Sequence, residues 1–193
     1  HAYIGMAQIS NQAASEKMAY QYIRDQYRQM NDKSVLKALD AFPVMESDTN
    51  ILPFYQSLVR DKTMHALGIG TIRNMRSVFR DVFIPVWTCR AYTLKEKRNI
   101  WKSKFTFLKK TPLTRELFDT SITMRVKNLE IPVYFLSGRN DLTVNHELSA
   151  RYLEQLEAPV KKFFLFENSA HSPLYEEPER VRQILEQEIL RKQ

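Results

Sequence analysis

The amino-acid sequence predicts an α/β protein in which a small parallel sheet is interrupted by a long helical segment. Three observations carry the prediction. After about residue 128, strand-like and helix-like stretches alternate. From Asn11 to about Phe118, apolar residues recur at helical spacing. A chain of 193 residues has room for one ordinary core and a helical insertion.

The opening HAYIGMAQ is apolar and reads as a strand. It has no initiator methionine and enters the strand almost at once, so His1 is read as the edge of a fragment or of a processed chain. In the first helix Met18, Ala19, Tyr22, Ile23, Tyr27 and Met30 recur at three- and four-residue steps. That spacing predicts an apolar face opposite Lys17, Arg24, Asp25 and Arg28. A short second helix fits SVLKAL. A third fits LPFYQSLVRDKTMHALG, with Pro53 near its first turn and Gly68 suited to end it. Thr93 and Glu96 form a Thr-x-x-Glu capping box that opens a helix through Trp101 to about Phe107. The aromatic and methionine positions are expected to pack helix against helix, some of them lining an apolar pocket.

IPVYFLSG, residues 131–138, is a continuous apolar run ended by glycine, as expected of a strand buried on both faces. NHELSARYLEQL follows as a helix with Leu148, Tyr152, Leu153 and Leu156 inward, and KKFFLF is read as a second buried strand. PERVRQILEQEIL closes the chain with Val181, Ile184, Leu185 and Ile189 on one face. Strand, helix, strand, helix in this order implies parallel pairing through a right-handed crossover.

Composition narrows the partners. Lys and Arg number 29 against 22 Asp and Glu, a formal charge of +7. The basic residues are interleaved with acids, however, and only Lys109-Lys110 and Lys161-Lys162 are adjacent, so no continuous track for phosphates is expected and no nucleic-acid partner. Four glycines argue against a phosphate-cradling loop. The single cysteine, Cys89, excludes an internal disulfide and fits a reducing, cytoplasmic location. No apolar run reaches membrane-spanning length, and no two His or Cys stand at metal-ligand spacing. A membrane partner, a metal and a cofactor are therefore not expected.

In open parallel sheets, function collects in loops beyond the carboxyl ends of the strands. Asp141, in SGRNDLTV, follows one strand, and His171, in ENSAHSPL, follows the next, thirty residues later. Neighbouring parallel strands bring both loops to one end, where the carboxylate can orient the imidazole and stabilise its protonated form. This is the acid and base pair of a catalytic triad.

These residues resemble the α/β hydrolase family, and within it the proline iminopeptidase-like branch. IPVYFLSGRNDLTV is similar to the segment that carries the triad acid, FENSAHSPLYEEPERV to the histidine loop and last helix, and HAYIGMAQ to the strand before the helical lid. The resemblance implies Asp141 as acid and His171 as catalytic base. It also implies a division into a core strand (1–10), a helical lid (11–125), and C-terminal core strands and helices (126–193). The family's Gly-x-Ser-x-Gly nucleophile elbow is absent from these residues. The chain is accordingly expected to be the C-terminal part of a serine hydrolase, inactive alone. Its partners would be the missing N-terminal part and a small-molecule or short-peptide substrate, cleaved at an ester, amide or N-terminal peptide bond through an acyl-enzyme.

Other residues receive plainer readings. His65 lies inside a helix and His146 opens one, so both are read as packing or capping residues, and His1 is uninformative. Cys89 lacks the strand-turn-helix setting of a nucleophile. Ser169 and Ser172 are expected to bond the loop backbone. Glu46, Asp48 and Asp61 are weak candidates for holding a substrate α-amino group and are expected to be solvated. Two alternative functions remain: a scaffold that keeps the hydrolase shape without catalysis, and a dehalogenase- or epoxide-hydrolase-type enzyme with an aspartate nucleophile.

Overall fold

Three strands, Tyr3–Met6 (β1), Val133–Gly138 (β2) and Lys161–Phe166 (β3), form a parallel sheet in the order β1-β2-β3 in the computed structural model. The structure describes residues 1–75, 77–103, 106 and 111–190. Tyr3 is in register with Val133, and Val133 in turn with Lys161. All six residues of β2 are buried, as its unbroken apolar run requires of a central strand. Its side chains divide by alternation. Val133 and Phe135 pack on Tyr152, Leu153 and Leu156, whereas Tyr134 and Leu136 pack on Phe166, Val181, Ile184 and Ile189.

The expectation of a second fully buried strand at KKFFLF is corrected. Only Phe166 of β3 is buried, and Lys161 is exposed. The reason is position, since β3 pairs with β2 on one side only.

Between β1 and β2 the described chain is helical. It comprises Gln12–Gln29 (α1), Lys33–Asp40 (α2), Ile51–Tyr55 (α3), Leu58–Leu67 (α4), Ile84–Thr88 (α5), Leu94–Lys102 (α6), Leu113–Asp119 (α7) and Ile122–Arg125 (α8). After β2 come His146–Gln155 (α9), Pro173–Glu176 (α10) and Pro178–Ile184 (α11). Asn11 caps α1 through the Ala14 N–H, and Thr93 and Glu96 form the expected reciprocal box on α6. Of the expected continuation of α6 to Phe107, residues 104, 105 and 107 lie outside the described residues, as does the Lys109-Lys110 pair. Among the described residues no helix is long and apolar enough to cross a membrane.

Two helix expectations change. LPFYQSLVRDKTMHALG is two helices, because the hydroxyl of Ser57 accepts the Arg60 N–H and starts α4 anew. Gly68 ends α4 in the left-handed region, with φ of 69°. In α1 the buried face is Gln12, Ser15, Glu16, Ala19, Tyr20, Ile23 and Tyr27, while Met18, Tyr22 and Met30 are exposed. The inward face of α1 is thus partly polar: Gln12 and Ser15 bond residues 143 and 145, and Glu16 meets Arg60. Its carboxylate, with no exposed surface, is held by Arg60 through Nε to Oε2 at 2.7 Å and Nη2 to Oε1 at 2.5 Å. Around this pair the helical segment builds its own core from residues such as Tyr20, Ile23, Leu39, Phe54, Met64 and Ile69.

Candidate active site

Parallel pairing puts the carboxyl ends of β2 and β3 side by side, and glycine lets their loops meet. A Cβ at Gly138 would stand 1.9 Å from the carbonyl oxygen of Ala170 and 2.5 Å from that of Ser169, inside any tolerable contact. The Arg139 N–H donates to the Phe166 carbonyl at 2.9 Å, and the Asn140 N–H to the Ser169 carbonyl at 3.0 Å. The two loops are therefore laced together by backbone before any side chain is considered.

Asp141 is fully buried in the first loop. Its Oδ1 accepts the N–H groups of Thr143 at 2.8 Å and Val144 at 2.9 Å, which closes an Asx-type turn. Its Oδ2 lies 2.9 Å from Nδ1 of His171, in the second loop. A carboxylate only accepts, so Nδ1 carries the hydrogen and Nε2 is left as the basic nitrogen. The His171 side chain is 32% exposed against 0% for Asp141, so the imidazole, not the carboxylate, faces solvent. Burial works against protonation of His171, but the hydrogen bond and charge of Asp141 overcome it, with Glu176 assisting and Arg60 opposing. The imidazole is held above its ordinary pKa.

The arrangement can take up a proton at Nε2 and hold the resulting imidazolium against a buried carboxylate. The chain is 33% identical over 183 residues to Probable aminopeptidase YbaC of Bacillus subtilis (strain 168), a match that covers 92% of the chain and 54% of the relative. The chain thus spans about half the length of that protein. No family model matches the chain, and no solved structure matches it. These findings correct the resemblance to the α/β hydrolases and their proline iminopeptidase-like branch: the similarity found is to a protein named as an aminopeptidase, with no match to a hydrolase family. The quoted motifs describe a strand, an acidic loop and a histidine loop, a local geometry that does not by itself define a family.

The remaining residues of interest sit as follows. His65 is buried in α4 with its ring against Gly70, and His146 opens α9, where burial lowers its pKa. Cys89 follows α5 and is half-buried. The Ser169 hydroxyl donates to Oε1 of Glu177 at 2.7 Å, a side-chain partner where a backbone one was expected. Glu46 and Asp48 are exposed, Asp48 pairing with Lys17, and Asp61 lies 3.8 Å from Arg60.

Sequence reading missed the polar residues of α1 that reach the Asp141 loop. Gln12 Nε2 donates to the Thr143 carbonyl at 2.9 Å, and the Ser15 hydroxyl accepts the Asn145 N–H at 2.8 Å. Polar residues spaced three apart at the start of an apolar helix were the available signal.

Proposed function

We propose that Asp141 and His171 are the acid and base of a serine-type hydrolytic centre that cleaves an ester, amide or N-terminal peptide bond through an acyl-enzyme. The reading rests on the 2.9 Å contact between Asp141 Oδ2 and His171 Nδ1 at the carboxyl ends of adjacent parallel strands. Similarity to a protein named as an aminopeptidase favours a peptide with a free amino terminus as substrate. In this reading the nucleophile and the oxyanion donors come from residues beyond the 193, and the relative, of which the match covers 54%, has length to spare for them.

The helical segment would serve as a lid over this end of the sheet. Support comes from its bonds to both loops, since the Leu142 N–H donates to the Ile69 carbonyl at 3.1 Å and the His171 N–H to the Gly70 carbonyl at 3.2 Å. A lid so placed excludes water from the acyl-enzyme and selects the substrate.

The test is pre-steady-state acylation with an activated ester and an alanyl anilide. The 193-residue chain should give no burst, whereas a longer polypeptide carrying a serine elbow ahead of it should turn over and lose that turnover in His171→Gln. A burst from the 193 residues alone, or a His171→Gln enzyme of unchanged kcat, would defeat the reading.

A further inference from the structure

We propose that Glu176 is a positioning residue that ties the His171 loop to the strap of residues 69–73, so that the histidine and the helical segment open and close together. The proposal deepens, and rests on, the reading of His171 as the base.

Glu176 ends α10, five residues after the histidine, and its carboxylate points back into the loop. Oε1 accepts the N–H of Ala170 at 2.9 Å and of Ser172 at 3.3 Å, the two neighbours of His171 in sequence. Oε2 accepts the N–H of Arg73 at 2.7 Å, on the strap that follows α4. One carboxylate thus satisfies three backbone donors from two segments about a hundred residues apart. An ionised carboxylate is the side chain suited to this, because both oxygens accept and bonds to a charged acceptor are the stronger kind.

The strap reinforces the link from its own side. The Gly68 turn sends the chain away from α4 and seats Ile69 in the core of the helical segment, with the Ile69 N–H on the Met64 carbonyl at 3.0 Å. The next carbonyls leave that core and meet the loops, Ile69 accepting from Leu142 and Gly70 from His171. Gly70 is held close, since a Cβ there would come within 2.9 Å of the His65 ring. Moving the helical segment off the sheet would therefore break backbone bonds to the Asp141 loop, to His171 itself and to Glu176 in one event.

Glu176 also acts on His171 through charge, in company with Asp141, and against Arg60. A purely structural prop would hold the loop without favouring the imidazolium. The two effects are separable by NMR on the 193-residue chain.

In Glu176→Gln, amide hydrogens of Arg73 and His171 should exchange at least tenfold faster than in the parent, by similar factors, and the His171 titration midpoint should fall. Glu177→Gln is the control, because that carboxylate accepts from Asn168 N–H and the Ser169 hydroxyl and makes no bond to the strap. It should leave the Arg73 amide protected. Parent exchange rates at Arg73 and His171 in a folded Glu176→Gln chain would overturn the proposal. Should that variant not fold, the parent chain decides. Common exchange of the Arg73, Leu142 and His171 amides supports the coupling, and an Arg73 amide exchanging tenfold or more faster than His171 overturns it. No substrate enters these measurements. An inactive longer enzyme would leave them standing, and their failure would leave His171 available as a base.

Discussion

Asp141 Oδ2 and His171 Nδ1 lie 2.9 Å apart although a complete crossover from β2 to β3 separates them in the chain. The contact joins a carboxylate with no exposure to an imidazole that reaches solvent. Asp141 is anchored by two backbone N–H groups, and the imidazole is the member of the pair that meets solvent.

Proton NMR of the imidazoles should therefore find His171 titrating above the ordinary histidine value of about 6.5 and His146 below it. The linkage follows from the direction. The folded state holds the His171 proton more tightly than the unfolded chain, so this group's contribution to stability is fully present below about pH 6.5 and is lost as pH rises through the folded pKa. His146 runs the other way, its contribution present above about pH 6.5 and lost as pH falls through its folded pKa. Denaturation midpoints of His171→Gln and His146→Gln against the parent from pH 5 to 9 check both signs.

Asp141→Asn should leave the Asx-type turn in place, because Oδ1 still accepts from Thr143 and Val144. It should cost about 10⁴ in kcat in a longer, active enzyme, roughly 5–6 kcal/mol of transition-state stabilisation, by removing the charge and inverting the His171 tautomer. A residual turnover above about a tenth of the parent, a loss of only ~1.4 kcal/mol, would remove Asp141 from the mechanism.

Gly138→Ala should separate the two loops. The new methyl meets the Ala170 and Ser169 carbonyls, which are backbone and cannot rotate away. The expected outcome is a destabilised chain in which the His171 midpoint returns towards that of a free imidazole, read from the same NMR titration. An unshifted midpoint would mean that the loops tolerate the methyl.

Glu16→Gln should destabilise the chain by about 3–5 kcal/mol, because Arg60 then loses the carboxylate that neutralises it in the interior and keeps only the 3.8 Å contact with Asp61. Replacing both partners, as Glu16→Leu with Arg60→Met, should recover much of the loss. Urea unfolding of Glu16→Leu, Arg60→Met and the double variant measures the coupling.

What the sequence made legible was local or nearly so. The alternation of strand and helix after residue 128, the Thr93 capping box and the turn at Gly68 depend on neighbours within a few positions, and they stand in the structure. Asp141 and His171 were legible as a pair because crossover geometry converts sequence order into spatial order. The inward face of α1 was not. Glu16 turns inward only because Arg60, 44 residues on, neutralises it, and periodicity sees hydrophobicity but not partners. Glu176 escaped for a related reason, since its partners are backbone N–H groups, which no residue type announces.

The unequal spacing of the strands predicts an order of assembly. About 20 residues lie between β2 and β3, and about 130 between β1 and β2. Closing the longer span costs roughly 1.5 kcal/mol more in chain entropy, since the cost grows only as the logarithm of length. The β2-β3 unit with α9 can therefore form while β1 is still free, and β1 joins after the helical segment has collapsed on its own core. In pulse-labelling during refolding, the N–H groups of Tyr3 and Ala7, bonded at 2.8 Å to the carbonyls of Pro132 and Leu136, would be the last of the sheet to gain protection.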